Sequence, residues 1–183
     1  MDSFARGSDR IMPKAEKLFD ILARFMVRTL TLRLLREVAG GVITWPQWEA
    51  LVYVRRHKAC SVSDLAKGLR VSQPAATKLV ERLVLKGYVV RGENPADRRA
   101  CCITLSESGV RLVDSIGAER EGRFSFLIRG MDEERRVALI NGLSGFLEKA
   151  LGDEETASEV CLQCGTEHEP DCLVSQARAA LAS

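Results

Sequence analysis

A chain of 183 residues with 46% apolar side chains has the length of one domain with an extension and enough apolar surface for a core. Its net charge is only +2, it holds no run of eighteen apolar residues to span a membrane, and Met1 to Ser8 lack the basic-then-apolar order of a signal peptide, so the expected compartment is the cytoplasm. Six cysteines in such a setting argue against a disulfide scaffold and for metal binding, redox chemistry or burial.

Residues 1–12 are small, polar and unpatterned, and are expected to be flexible. From Pro13 to Val38, Leu18, Ile21, Leu22, Phe25, Thr29 and Leu32 recur at helical spacing, while Leu30, Leu34 and Leu35 add a second apolar strip. A helix apolar on two sides needs two partners, and contact with a second copy of the chain follows. Gly40-Gly41 ends it. Thr44 caps the next helix, with Pro46 in its first turn and Trp45 and Trp48 as core or pocket wall.

Ser61, with Asp64 three residues on, is a capping pair that starts a short helix carrying Leu65, Ala66 and Leu69 on one face. Gly68 with Arg70-Val71 provides a tight turn into a second cap at Ser72. From Gln73 to Lys86, Ala76, Leu79, Val80 and Leu83 share the core face, leaving Gln73, Ala75, Thr77, Lys78, Glu81 and Arg82 directed elsewhere. Two capped helices joined by a short turn form a helix-turn-helix, and the second is the recognition candidate for a major groove. Gly87 suits its C-cap. Tyr88-Val89-Val90 and Ala100 to Leu105 read as a hairpin whose tip, Arg91 to Arg99, is rich in guanidinium and fits a minor groove.

The runs Leu79-Val80-Glu81-Arg82-Leu83 and Lys86-Gly87-Tyr88-Val89-Val90-Arg91, then Asp97-Arg98-Arg99 and Leu105-Ser106-Glu107-Ser108-Gly109, resemble the winged-helix core of the MarR (multiple antibiotic resistance regulator) family, over roughly residues 14 to 151. The resemblance implies a homodimeric bacterial transcription regulator, usually a repressor released by a small molecule or by oxidation. It implies that Asp97 steadies Arg98 or Arg99 in the minor groove, and that a small-molecule effector occupies a cavity near Trp45 and Trp48 between dimer base and DNA-binding lobe. Residues 55–99 hold eleven Lys or Arg against four Asp or Glu, a net +7 that is the electrostatic footprint of a nucleic-acid site.

The DNA-facing set is therefore Ser72, Gln73, Ala75, Thr77 and Lys78, with Arg82 on phosphate and Asp97, Arg98 and Arg99 in the wing. A winged helix used for protein contacts is the alternative, and its partner binding would be insensitive to salt. A metal- or thiol-dependent enzyme finds no glycine-rich phosphate loop or metalloprotease motif, and His57 and His168 are the only histidines. His57, after Arg55-Arg56, reads as a surface residue.

Ser106 and Glu107 open a helix to about Arg129, Gly130 breaks it, and Asp132 caps a last long helix ending near Gly152. The expected fold is mainly α with a small β-hairpin wing (α+β): a helical dimerisation base from 13–43 and 106–152, and a winged helix-turn-helix lobe from 44–105. The extension, 153–183, departs from the family. Residues 148–183 hold eight Asp or Glu against two Lys or Arg, the wrong sign for phosphates. Within it Cys161-x2-Cys164, Gly165, His168 and Cys172 have the spacing of a Cys3His zinc site, whose binding energy would fold an otherwise coreless tail. An iron-sulfur cluster, a Cys161-Cys164 thiol switch and unused thiols are the other readings. Cys101 and Cys102 point to opposite strand faces, so one is buried at most, and Cys60 reads as a small buried residue.

Overall fold

The first helix, α1 (Ser3–Val27), passes directly into a π-helical turn (Arg28–Leu32) and on into α2 (Arg33–Val38). The computed structural model describes residues 3–93, 101–163 and 172–181. Pro13 withdraws one N–H from the ladder and so reads as a helix start; the helix nevertheless begins at Ser3 and carries Pro13 inside it. In the π turn the Thr31 hydroxyl donates to the Met26 carbonyl, five residues back, at 3.2 Å. The wider turn re-phases the apolar surface. Leu30 within it and Leu34 and Leu35 after it are buried, whereas Leu18, Phe19, Ile21, Leu22 and Phe25 before it stay 36–57% exposed.

Gly40 and Gly41, at φ +59° and +73°, turn the chain towards α3 (Trp45–His57). Gln47 Oε1 accepts from the Thr44 N–H at 3.1 Å and from Lys86 Nζ at 2.7 Å, tying the start of α3 to the far end of the helix-turn-helix. Next come α4 (Val62–Leu69) and α5 (Gln73–Leu85), then β1 (Val89–Glu93) paired antiparallel with β2 (Cys101–Leu105), Val89 opposite Leu105 and Arg91 opposite Ile103. Cys60 extends this small sheet by exchanging backbone hydrogen bonds with Ile103 at 3.2 and 2.8 Å. Four helices follow: α6 (Glu107–Arg129), α7 (Glu133–Ala150), α8 (Glu154–Gln163) and α9 (Leu173–Leu181).

The core joins α2, α3, α4, α5, the base of the hairpin and α6: Leu34, Leu51, Leu65, Val80, Leu83 and Ile116 have no exposed surface. His57 belongs to its edge rather than the surface, half-buried with its ring centroid 4.1 Å from that of Tyr53. Gly68 differs from expectation too. It is helical, and it gives room to Tyr53, whose ring carbon would lie 2.0 Å from a Cβ there. The turn itself is made by Arg70 in the left-handed region, φ 54° and ψ 42°.

At the start of α6 the Ser106 hydroxyl accepts from the Gly109 N–H at 3.0 Å, bringing this turn against Tyr88, whose carbonyl oxygen would lie 2.1 Å from a Cβ at Gly109. Because the obstacle is backbone, a side chain there has nothing to push aside. Gly109→Ala is expected to lower unfolding free energy by about 1–3 kcal/mol. Urea denaturation measures it, and an unchanged midpoint would contradict the close approach.

Candidate nucleic-acid interface

The interface is built from two capped helix starts. At α4, Ser61 Oγ accepts from the Asp64 N–H at 3.1 Å while Asp64 Oδ2 accepts from the Ser61 N–H at 3.0 Å and its hydroxyl at 2.7 Å. These bonds from Ser61 hold the Asp64 carboxyl below the usual carboxylate range. At α5, Ser72 accepts from the Ala75 N–H at 3.4 Å and Pro74 occupies the first turn.

Ala76, Val80 and Leu83 of α5 are completely buried, which turns the opposite face outward. Ser72, Gln73, Ala75, Lys78, Glu81 and Arg82 are exposed. Among the described residues neither Lys78 nor Arg82 forms an ion pair. Thr77 differs from the others: half-buried, it donates its hydroxyl hydrogen to the Gln73 carbonyl at 2.9 Å, leaving only acceptor capacity and a methyl group for a base. Asp97, Arg98 and Arg99 lie outside the described residues; β1 and β2 place the two ends of their loop side by side, beyond Glu93 opposite Cys101.

Sequence reasoning counted every cation of the segment alike, and the structure separates them. Lys86 Nζ also reaches the Val42 carbonyl at 2.5 Å, so this lysine is a brace and not part of the DNA surface. Arg55 pairs with Asp114 at 3.2 Å. Arg56 donates to the carbonyl oxygen of Cys161 and, at 3.3 Å, to its Sγ, while Arg70 pairs with Glu159. The last two link the DNA-binding lobe, through α3 and the end of α4, to the acidic extension, and no short-range pattern signals either of them.

Of the proposed metal ligands, Cys164 and His168 lie outside the described residues. Cys161, buried, lies in the last turn of α8 and Cys172, half-buried, precedes α9, which packs on α8. Hydrogen bonds from the Ser175 N–H and hydroxyl draw the Cys172 thiol below its ordinary value, with the Arg56 charge adding to them. Among the described residues no three His, Cys, Asp or Glu side chains converge as metal ligands would. Cys60 is the opposite case: burial, then Asp64 and Cys102, push its thiol up to about 12. Cys102 is buried. Both tryptophans belong to the core and its edge, and a cavity of about 410 Å3 lies elsewhere, lined by Phe25, Thr29, Leu30, Glu119, Arg123 and Phe126.

Residues 43–100 match the model of the MarR family. The transcriptional repressor NicR of Pseudomonas putida is 34% identical over 122 residues, 67% of this chain and 75% of its own length. The chain belongs to the MarR family. The multiple antibiotic resistance protein MarR of Escherichia coli is 34% identical over 83 residues, 45% of this chain and 58% of that protein. Among solved structures, a variant of MepR from S. aureus superposes with a TM-score of 0.64 at 23% identity, covering 73% of this chain and 96% of that one. RV1404 from Mycobacterium tuberculosis gives 0.62 at 23%, covering 81% and 95%. As a MarR-family transcriptional regulator the protein binds DNA and is not an enzyme. Among the described residues no helix is long and apolar enough to cross a membrane.

The cysteines of this MarR-family chain differ in reactivity by environment. In protein treated with a chelator, iodoacetamide at neutral pH is expected to label Cys172 well before Cys60, because thiolate is the reacting species. Peptide mass spectrometry reads the order, and labelling of Cys60 first would contradict both environments.

Proposed function

We propose that the protein is a homodimeric repressor that reads a palindromic operator, with one α5 in each of two major grooves and one wing in each flanking minor groove. The observation that carries this reading is the outward face of α5, where Gln73, Ala75, Lys78 and Arg82 stand exposed above a wholly buried Ala76, Val80 and Leu83. Gln73 offers the paired donor and acceptor that suit an adenine edge, and Arg82 reaches for phosphate. Arg98 or Arg99, with Asp97, would enter the minor groove.

The dimer is supported by apolar surface with no cover inside one chain. Besides the exposed face of α1, Phe124 and Phe126 of α6 and Val137, Ile140, Phe146 and Leu147 of α7 are 41–79% exposed, and Phe19 stacks on Phe146 with ring centroids 4.3 Å apart. Scattered apolar residues are ordinary on a surface, but exposed apolar side chains repeated along three helices support an interface. The cavity between α1 and α6 adjoins that face, and a small-molecule effector held there would bear on the dimer.

Affinity selection from random duplexes tests the reading, an inverted repeat being the expected product. Lys78→Ala should weaken all duplexes alike and flatten the log–log salt dependence by about 0.9 for each phosphate left without its cation. A monomer with an unaltered salt slope would overturn it.

A zinc ion held by Cys161, Cys164, His168 and Cys172 belongs to the same proposal, with an iron-sulfur cluster as the alternative occupant. The packing of α8 on α9, which sets the ends of the 164–171 connection together, supports it. Elemental analysis of anaerobically purified protein is expected to find zinc stoichiometric with the chain in a colourless solution. A brown solution would favour the cluster, and neither metal would remove the site.

A further inference from the structure

The extension is not a loose tail. Asp153 Oδ1 accepts from the Thr156 N–H at 2.8 Å to cap α8, and Glu154 and Glu155 stand in its first turn, where negative charge is stabilised. Ala157 is completely buried, and Leu151, just before the helix, is 3% exposed. From there α8 lies against α3 and α4 of the DNA-binding lobe, while α9 lies against α7 of the base. Arg56 grips its far end through the Cys161 carbonyl and Sγ. This docked helix delivers Glu159 to Arg70.

Arg70 occupies a particular place. It closes α4 in the left-handed conformation and stands two residues before Ser72, the cap of the recognition helix. In a helix-turn-helix the N-terminal end of that helix is the end that meets DNA. Its side chain remains 58% exposed and pairs with the Glu159 carboxylate. The carboxylate, planar and anionic, is a fair stand-in for a phosphate before a guanidinium.

We propose that α8 is an autoinhibitory element in which Glu159 occupies Arg70 in place of a DNA phosphate, so that each chain withholds one backbone contact until the extension yields it. The inference rests on α5 being the recognition helix. A surface pair of this kind, its arginine exposed and its glutamate half-buried, is weak enough to be exchanged for phosphate, and a brake needs that property.

The test uses the full-length protein and a mixed-sequence duplex long enough for a dimer, with binding titrated across salt concentrations. Glu159→Gln is expected to tighten binding about three- to tenfold at low salt and to steepen the log–log slope by up to about 0.9 for each Arg70 released. Glu155→Gln, the same charge change at an exposed position of α8, is expected to leave the slope as in the wild type. In an Arg70→Ala background the Glu159→Gln gain should vanish. Equal effects of Glu155→Gln and Glu159→Gln would overturn the proposal in favour of bulk charge, and so would a gain that persists without Arg70. Near-ultraviolet and far-ultraviolet dichroism identical to wild type confirms that the variants keep their fold. If the wild type bound no duplex at all, the recognition-helix reading would fall, and this inference with it.

Discussion

Burial of Ala76, Val80 and Leu83 leaves α5 one rotational setting on the lobe, and the interface depends on it. Fully burying side chains of the size of Val80 and Leu83 is worth roughly 1.5–3 kcal/mol each, several times what an exposed ion pair supplies. The apolar face therefore fixes which polar side chains look outward, and charge decides only what they meet. Lys86 completes the constraint from the other end of the helix. By bonding to Gln47 and the Val42 carbonyl it ties the end of α5 to the start of α3.

A second constraint comes from the π-helical turn. Even as an uninterrupted α-helix the segment from Ser3 to Val38 would carry two apolar strips, and the π-helical turn shifts the phase of the one that serves the lobe core at Leu34 and Leu35 relative to the one at Leu18, Ile21 and Leu22. The wider turn makes that shift while the helix runs on into α2. The same long element thus belongs to the core of its own chain at one end and presents uncovered apolar surface at the other. That division is the physical basis for reading the base as a dimer interface.

Much of this was legible in the sequence, because capping and periodicity are local. Ser61 with Asp64, Ser72, Ser106 and Asp132 each start the helix their side chains announce, and glycines at 40, 41 and 87 take the positive φ values that end elements. What was hidden is set by tertiary contact. Gly68 reads as a turn residue until the Tyr53 ring is seen to need its missing Cβ, and Arg70 makes the turn despite bearing one. Pro13 reads as a start and is interior. Thr77 belongs by spacing to the outward set, but its hydroxyl turns back on the helix, a local bond open to any threonine at this spacing. Arg56 and Arg70 meet partners about ninety to a hundred residues away, and no window of sequence contains both ends of either contact.

Those two arginines also change what the charge count means. A net +7 over residues 55–99 measures cations present, whereas phosphate binding measures cations available. Of the nine Lys and Arg described in that segment, Arg55, Arg56, Arg70 and Lys86 already have partners within the chain. Lys86 and Arg56 meet neutral oxygens and a thiol, Arg56 in a half-buried setting, and giving up those bonds would loosen the lobe itself. Arg70 differs, since its partner is a carboxylate at the edge of solvent and nothing in the core rests on the pair. The acidic extension, although it carries the wrong sign to hold DNA, is therefore placed to set how much of the lobe's positive charge DNA encounters.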